Sequence, residues 1–193
     1  MIKTLIFDLD GTLVNLNLNT EKLVLELQAL LGTKLESGPL LESVISYTEE
    51  NSKLRKKAWA IIDRVEKESI ANLQIFPETI SVLNEIKGKT YGLALVTLQG
   101  QKATALVLRK LALTHFFNPI ITRENSHLRS HQLELVLNSL NISRDEVLFV
   151  GDRLNDLQEA RKVEINCILI RRKFNPLDGT IVIQSLSELL QYV

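Results

Sequence analysis

The feature of this 193-residue sequence that most restricts its fold is an alternation of short apolar segments with helical patterns. Each apolar segment is rich in Ile, Val and Leu and is bounded by polar or turn residues, which is typical of a strand buried on both faces of a parallel sheet. This alternation predicts an α/β protein with a doubly wound, Rossmann-like parallel sheet. The predicted strands are Thr4–Phe7, Gly92–Val96, Pro119–Ile121, Glu146–Val150 and Cys167–Ile170, with a sixth at Thr180–Ile183. The predicted helices are Glu78–Lys87, Lys102–Leu111, Leu133–Leu140 and Asp156–Lys162, with a closing helix at Leu186–Tyr192.

One long segment after the first strand interrupts this alternation. It contains no convincing strand and shows helical patterns at Thr20–Leu31 and Ser52–Ile70. Phe76-Pro77 marks the return of the alternating pattern, because proline restrains the residue before it and often starts a helix. The chain is therefore predicted to have an α/β core of residues 1–16 and 75–193 and a helical insert of residues 17–74.

The balance of charge excludes several classes of partner. Lys and Arg number 23 and Asp and Glu number 23, so a nucleic acid finds no net positive charge to attract it.

The uncharged runs are too short to span a bilayer, and we expect no membrane partner. The first residues lead directly into a strand and lack the pattern of a signal peptide, so a cytoplasmic location is expected. The single cysteine, Cys167, can form no internal disulfide.

Acidic residues follow two of the predicted strands. Asp8 and Asp10 come directly after the first strand, with Gly11 allowing a sharp turn, and Asp152 and Asp156 follow the strand that ends at Val150. The carboxyl ends of parallel strands, where ligands of such sheets bind, lie at one edge of the sheet. If the two strands are adjacent, the four carboxylates would therefore lie in one cleft. The acids would repel one another unless a hard divalent cation offset their charge. Mg²⁺ is therefore the predicted cofactor.

A third predicted strand, Gly92–Val96, is followed directly by a hydroxyl residue, Thr97. The hydroxyl of Thr97 and the backbone N–H groups that follow it, beginning with Leu98, are suited to hold a phosphoryl oxygen. Three strand ends thus carry side chains that are compatible with one phosphate-binding cleft.

Together these motifs resemble the haloacid dehalogenase superfamily, in its phosphoglycolate phosphatase-like branch. Phe7-Asp8-Leu9-Asp10-Gly11-Thr12-Leu13 fits the first motif of the family at every position, Thr97 fits the second, and Gly151-Asp152-Arg153-Leu154-Asn155-Asp156 fits the fourth. The insert lies where the family places its small helical cap domain, a lid over the active site. The resemblance implies a hydrolase of phosphoric monoester bonds that uses Mg²⁺ and acts on a small phosphorylated metabolite.

The resemblance also implies roles for individual residues. Asp8 would be the nucleophile that forms an aspartyl-phosphate, and Asp10 would act first as general acid and then as general base. The Asp8 side chain, the Asp10 backbone carbonyl and Asp152 would bind Mg²⁺, while Asp156 would bind the metal or its water. Because dehalogenases lack an acid at the position of Asp10, dehalogenation is not expected. The expected phosphate contacts are Gly11, Thr12, Thr97, Leu98 and Arg129.

The sequence departs from the family in two places. Relatives supply a Lys, usually followed by Pro, in the third motif, and Arg129 is the best substitute because a guanidinium is always charged and grips phosphate with a planar fork. The alternatives are that Arg129 is a solvent-facing loop residue and that a lysine of the insert, Lys53, Lys56 or Lys57, serves instead. At the end of the helix after the fourth motif, Val163-Glu164 replaces Ala-Gly, so a left-handed helix end costs more or gives way to another geometry.

Two other functions stay open at this point. A phosphotransferase such as a sugar-phosphate mutase shares the aspartyl-phosphate step and differs only in the molecule that receives the phosphoryl group. A non-catalytic binding protein on the same fold would explain the missing Lys, although the intact acids argue against it. The insert leaves the substrate open among phosphoglycolate, sugar phosphates and nucleotides, and the chain is expected to be a monomer or a homodimer. The three histidines lack metal-ligand spacing and are expected to be structural or exposed: His115, His127 and His131.

Overall fold

The chain folds around a six-stranded parallel sheet, as the alternating pattern predicts. The computed structural model describes residues 1–35, 40–89, 91–172, 177 and 179–193. The strands are β1 (Thr4–Phe7), β2 (Val14–Asn15), β3 (Gln74–Ile75), β4 (Gly92–Val96), β5 (Ile120–Ile121), β6 (Val147–Gly151), β7 (Asn166–Ile170) and β8 (Ile181–Ile183). The helices are α1 (Thr20–Leu31), α2 (Leu40–Tyr47), α3 (Ser52–Ser69), α4 (Thr79–Gly88), α5 (Gln101–Lys110), α6 (Arg129–Leu140) and α7 (Leu154–Lys162).

The order of the strands identifies the type of sheet. The order is β5-β4-β1-β6-β7-β8, every neighbouring pair is parallel, and β2 and β3 form a separate antiparallel ribbon. The chain moves outward from β1 through β4 to β5 and then returns to the other side of β1 with β6. This is the order of doubly wound folds, whose ligands bind at the carboxyl ends of the strands beside the reversal. The predicted fold class is confirmed, and β1 lies beside the reversal.

Apolar side chains from the sheet and two helices form the core behind these strand ends. Ile6 of β1 and Phe149 of β6 belong to one buried cluster with Leu133 and Val136 of α6 and Ala160 of α7. All four residues of β1 are buried, which explains why its sequence is a continuous apolar run rather than an alternating one. The packing of α6 and α7 against the central strands fixes the first turns of both helices near the carboxyl edge.

Several elements differ from the sequence-based prediction. Helix α6 begins at Arg129 rather than Leu133. The apolar pattern missed this first turn because the side chains that the turn buries are polar. Gln74 belongs to strand β3, although no strand was expected up to that residue. The closing segment Leu186–Gln191 is a 3₁₀ helix rather than an α-helix. Glu164, after α7, keeps the left-handed conformation with a φ of 56° despite the absence of glycine.

The structure divides into two compact units, one of residues 1–15 and 74–193 and one of residues 16–73. In the second unit, α1 is capped by Asn19, whose side chain accepts a hydrogen bond from Lys22 N at 2.9 Å. Leu23 and Leu27 of α1 share a buried cluster with side chains of the two helices that follow: Val44, Ala58, Ile62 and Val65. Among the described residues, no helix combines the length and the apolar composition that a membrane crossing requires.

Candidate active site

Three carboxylates meet at the carboxyl edge of the sheet. Asp8 follows β1, Asp152 follows β6, and Asp156 lies in the first turn of α7. The pairing of Phe7 with Val150 sets the two strand ends side by side, and Asp8 N donates to Val150 O at 2.9 Å. One ligand atom from each of the three acids lies within 4.8 Å of the others. Parallel pairing therefore brings together acids that are far apart in the sequence.

Two glycines make room for these carboxylates. A Cβ atom on Gly11 would lie 2.1 Å from Asp152 Oδ2, and the φ of +89° at Gly11 is one that other residues rarely adopt. A Cβ atom on Gly151 would lie 2.6 Å from Asp156 Oδ2. A larger residue at either position would displace an acid, so both glycines are required by the geometry of the site.

The donor set of this cluster fits a hard divalent cation. Asp152 Oδ1 is buried and has no hydrogen-bond partner among the described residues, which is a costly state for a carboxylate oxygen. Mg²⁺ and Ca²⁺ bind carboxylate oxygens, so an ion at this point would satisfy that atom. Within the part of the chain that the structure describes, Asp8, Asp152 and Asp156 are the one group that is arranged to hold a metal. Asp10 is half-buried in the turn after β1, where its backbone bridges to Val14.

Burial dominates the electrostatics of the acids. It raises the pKa of Asp8 well above its usual value, Arg129 opposes this shift, and the nearby charges of Asp156 and Asp152 add to it. Burial also raises the pKa of Asp152 to about 6, opposed by Arg153 and increased by Asp156 and Asp10. A protonated carboxyl group is a poor nucleophile and a poor ligand, so the cluster needs positive charge to work at neutral pH.

Arg129 supplies part of that positive charge. Its side chain is 4% exposed, Nη2 donates to Asp8 Oδ1, and Nε donates to Asp156 Oδ1 at 3.0 Å. Burial disfavours the charged guanidinium, but Asp8 and Asp156 together raise the pKa of Arg129 above its usual value. The alternative of a solvent-facing loop arginine is wrong, because Arg129 is the first residue of α6 and is buried on two of the acids.

The residues that were predicted to bind phosphate show open donors at two places. Thr12 is fully buried, and neither its Oγ1 nor its N–H has a partner among the described residues. The N–H of Leu98 likewise meets no acceptor in that part of the chain, while its carbonyl accepts from Arg123 Nη1 at 3.3 Å. The hydroxyl of Thr97 is already engaged, since it donates to Gln99 Oε1 and accepts from Gln99 N at 3.2 Å.

Two further residues contact the site and were not predicted. Gln132 is fully buried: its Oε1 accepts from Arg129 Nη1 at 2.9 Å, and its Nε2 donates to Thr97 O at 2.8 Å. Arg172 lies two residues beyond β7 and donates to the carbonyl oxygens of Gly11 and Thr12. The i, i+3 spacing of Arg129 and Gln132 on a helix and the position of Arg172 after a strand were the available signals.

The remaining polar residues that the sequence analysis named are the lysines of the insert, the histidines and the cysteine. Lys53, Lys56 and Lys57 are exposed on α3 of the insert. The ring of His115 packs 4.2 Å from that of Phe116, and none of the described histidines belongs to the candidate metal group. Burial raises the pKa of Cys167 to about 12, so this thiol stays protonated and unreactive.

Comparisons with known proteins agree with this geometry. Residues 5–170 match the family of haloacid dehalogenase-like hydrolases. The phosphoglycolate phosphatase of Yersinia pestis is 26% identical over 192 residues, which cover 90% of this chain and 83% of the relative. The pyrophosphatase PpaX of Bacillus cereus strain G9842 is 26% identical over 170 residues, which cover 81% of this chain and 77% of the relative.

Solved structures share the fold at lower sequence identity. A haloacid dehalogenase-like family protein from Streptococcus pneumoniae aligns with a TM-score of 0.74 at 20% identity, covering 99% of this chain and 98% of that one. A phosphatase from Thermococcus onnurineus aligns with a TM-score of 0.71 at 23% identity, covering 99% and 97%. The similarity extends over the whole length of each chain and not over the sheet alone.

Proposed function

Because the chain belongs to the haloacid dehalogenase-like hydrolase family, we propose that it is a Mg²⁺-dependent phosphatase that hydrolyses small phosphate monoesters through an aspartyl-phosphate on Asp8. The observation that carries this proposal is the meeting of Asp8, Asp152 and Asp156 around one point, with the buried cation of Arg129 bonded to Asp8. Relatives named phosphoglycolate phosphatase and pyrophosphatase support a small phosphorylated substrate.

The acids divide into ligands and proton carriers. The carboxylates of Asp8 and Asp152 and the backbone carbonyl of Asp10 would hold Mg²⁺, and Asp156 would bind the ion or its water. When bound, the ion supplies positive charge that keeps these carboxylates ionised and offsets the charge on the phosphoryl oxygens. Asp10, which is half-buried, would exchange a proton with the reacting groups through its side chain.

In the first half of the reaction, an Asp8 carboxylate oxygen attacks phosphorus while the bond from phosphorus to the ester oxygen breaks. Asp10 donates its proton to the departing alkoxide, and the product is the free alcohol. The open donors of Thr12 and the N–H of Leu98 would bond to phosphoryl oxygens as their negative charge grows. Arg129 stabilises the same region as a fixed cation.

In the second half, Asp10 removes a proton from water as the water oxygen attacks phosphorus. The bond between phosphorus and the Asp8 carboxylate breaks, inorganic phosphate leaves, and Asp8 is again a carboxylate while Asp10 again carries its proton. The cycle consumes one water molecule and one ester and regenerates both side chains.

The contacts of Arg129 bear on one of the two alternative functions, and product analysis bears on the other. The non-catalytic alternative depended on the missing Lys, and the burial of Arg129 against Asp8 supports an enzyme instead. The phosphotransferase alternative differs only in the acceptor, so product analysis distinguishes it. A phosphotransferase would form a new phosphate ester when a sugar phosphate is added, whereas a phosphatase would release only the alcohol and inorganic phosphate.

A panel of phosphomonoesters that includes p-nitrophenyl phosphate and phosphoglycolate, assayed with the purified chain, tests the proposal. We expect release of phosphate that requires Mg²⁺ and that falls by about 10³-fold or more in Asp8→Asn, because the amide is not a nucleophile. Asp145→Asn, a matched change at an exposed acid, should leave the rate unchanged. An unchanged rate in Asp8→Asn would overturn the assignment of the nucleophile.

A further inference from the structure

We propose that Arg172 is a positioning residue that aims and strengthens the backbone donor of Thr12 toward the phosphoryl group, a role that rests on the proposed function of the site. Arg172 lies outside the motifs that resemble the family and is not adjacent in sequence to any of the acids. Its guanidinium nevertheless reaches the turn that follows the nucleophile.

The contacts of Arg172 fall on two consecutive carbonyl groups of that turn. Nη1 donates to Gly11 O, and Nη2 donates to Thr12 O at 3.2 Å. Two bonds from one planar guanidinium fix the orientation of both peptide groups, because the fork cannot rotate without losing one of them. The turn that contains Gly11 is therefore held from the side of its carbonyl oxygens.

The Gly11 carbonyl and the Thr12 N–H belong to the same planar peptide group and point in opposite directions. The carbonyl oxygen is bound by Arg172, while the N–H meets no acceptor among the described residues. A cation at a carbonyl oxygen polarises the peptide and makes its N–H a stronger hydrogen-bond donor. The buried hydroxyl of Thr12 also has no partner within the part of the chain that the structure describes, so two donors of one residue are available to an acceptor. A phosphoryl oxygen is the acceptor that the proposed reaction brings.

Other contacts hold the guanidinium in place. Its central carbon lies 3.2 Å from the centroid of the Phe76 ring, and Nη2 lies 3.7 Å from Glu78 Oε1. Glu78 also accepts from Leu186 N at 3.3 Å, so the carboxylate is itself anchored. The side chain of Arg172 is 30% exposed. A partly buried, stacked and paired arginine has little freedom, which is what a positioning role requires.

Steady-state kinetics with Mg²⁺ and p-nitrophenyl phosphate test the role directly. Arg172→Met keeps an apolar stem against Phe76 but removes both donors, and we expect kcat to fall about 10–100-fold with KM within about threefold. Arg172→Lys keeps the charge and should recover part of the loss. Arg144→Met removes an arginine that donates to a backbone carbonyl elsewhere, Val163 O at 3.0 Å, and should leave kcat within about twofold.

Two measurements separate positioning from a general structural role. In ¹⁵N-labelled protein, the amide resonance of Thr12 should shift upfield in Arg172→Met and stay in place in Arg144→Met, because a weaker donor is less deshielded. Guanidinium ion added to Arg172→Ala should raise kcat by at least about threefold, while tetramethylammonium at equal ionic strength should not.

The outcomes are decisive in either direction. An unchanged kcat in Arg172→Met, or a loss of kcat that accompanies unfolding and that guanidinium does not rescue, overturns the role of Arg172. If the wild-type chain shows no Mg²⁺-dependent turnover, the proposed function fails instead. Binding of orthovanadate with Mg²⁺ then decides the role of Arg172 alone, with at least about tenfold weaker binding expected for Arg172→Met.

Discussion

Two regions of the molecule each use one arginine to bridge two carboxylates, with opposite electrostatic results. At the carboxyl edge of the sheet, Arg129 pairs with Asp8 and Asp156, and the three side chains are 4%, 7% and 3% exposed. On the helical insert, Arg64 pairs with Glu26 and Glu68, and these side chains are 42%, 32% and 48% exposed. The pairing is the same, and the difference is the access of water.

The pKa shifts show what burial changes. Hydrogen bonds from Lys22 and Arg64 lower the pKa of Glu68, so the ionised form of this exposed carboxyl group is favoured. At the sheet edge, burial raises the pKa of Asp8 in spite of Arg129. The buried cluster contains more negative charge than its arginine offsets, and the exposed network does not depend on any further ion. An unbalanced buried cluster is a mark of a binding site, whereas a balanced exposed network affects stability little.

Removal of Arg129 from its buried cluster with Asp8 and Asp156 should have the largest effect on stability and on phosphate release. Arg129→Met leaves Asp8 and Asp156 without their cation, and we expect the free energy of unfolding to fall by about 3–5 kcal/mol. Phosphate release should fall by about 10³-fold, because the fixed charge beside Asp8, the proposed nucleophile, is lost. Urea denaturation and the phosphate assay measure the two effects.

A second variant keeps this prediction testable if Arg129→Met does not fold. Arg129→Lys retains the charge but cannot reach Asp8, Asp156 and Gln132 together, so we expect a folded protein whose kcat is about 10–100-fold lower. Wild-type kcat in Arg129→Lys would mean that charge alone matters and that the forked geometry does not.

Asp152→Asn tests whether the unbalanced acids destabilise the metal-free fold. Because burial raises the pKa of Asp152 to about 6, the ionised form costs the folded state free energy, and this cost grows as the pH rises from about 4 through about 6. At pH 7.5 without metal, we expect Asp152→Asn to increase the free energy of unfolding by about 1–3 kcal/mol. Melting curves in EDTA at pH 5 and pH 7.5 measure the gain, which should be smaller at pH 5.

Mg²⁺ should reverse the order of the two proteins. An ion at about 100 times its Kd stabilises the wild-type fold by about 2.7 kcal/mol, and Asp152→Asn should gain little because it lacks one of the proposed ligands. Asp145→Asn serves as the control and should follow the wild type in both buffers. A variant that is less stable than the wild type with and without Mg²⁺ would contradict the expected strain.

The same contrast explains what the sequence could predict. Apolar runs such as β1 and β6 report burial directly, so the sheet was predictable from hydrophobic periodicity, and the acids that follow them indicated the metal group. The start of α6 was not predictable in this way, because Arg129 and Gln132 are buried by partners that are distant in the sequence. Arg172 was missed for the same reason. Its guanidinium bonds to the backbone carbonyl oxygens of Gly11 and Thr12, and no pattern of side chains in the sequence indicates such contacts.

Glu164→Gly tests for a cost that is unrelated to the chemistry, at the far end of the helix that carries Asp156. Glu164 is exposed and has a φ of 56°, a conformation that disfavours every residue with a Cβ atom. We expect glycine to increase the free energy of unfolding by about 0.5–1 kcal/mol and to leave kcat unchanged. Gln158→Gly, at an exposed position inside the same helix, should decrease the free energy of unfolding by a similar amount, and urea denaturation of both variants measures the difference. Equal losses in the two variants would show that the left-handed residue carries no strain.

Arg64→Met on the insert should have the smallest effect, although it removes as many ion pairs as Arg129→Met does. Water already solvates Glu26 and Glu68, so the loss of their partner exposes no buried charge. We expect the melting temperature to change by less than about 2 °C, and even this change should vanish in about 1 M NaCl, where surface charges are screened. Phosphate release should stay within about twofold of the wild-type rate. A loss of stability close to that of Arg129→Met would show that the number of ion pairs, and not their burial, separates the two regions.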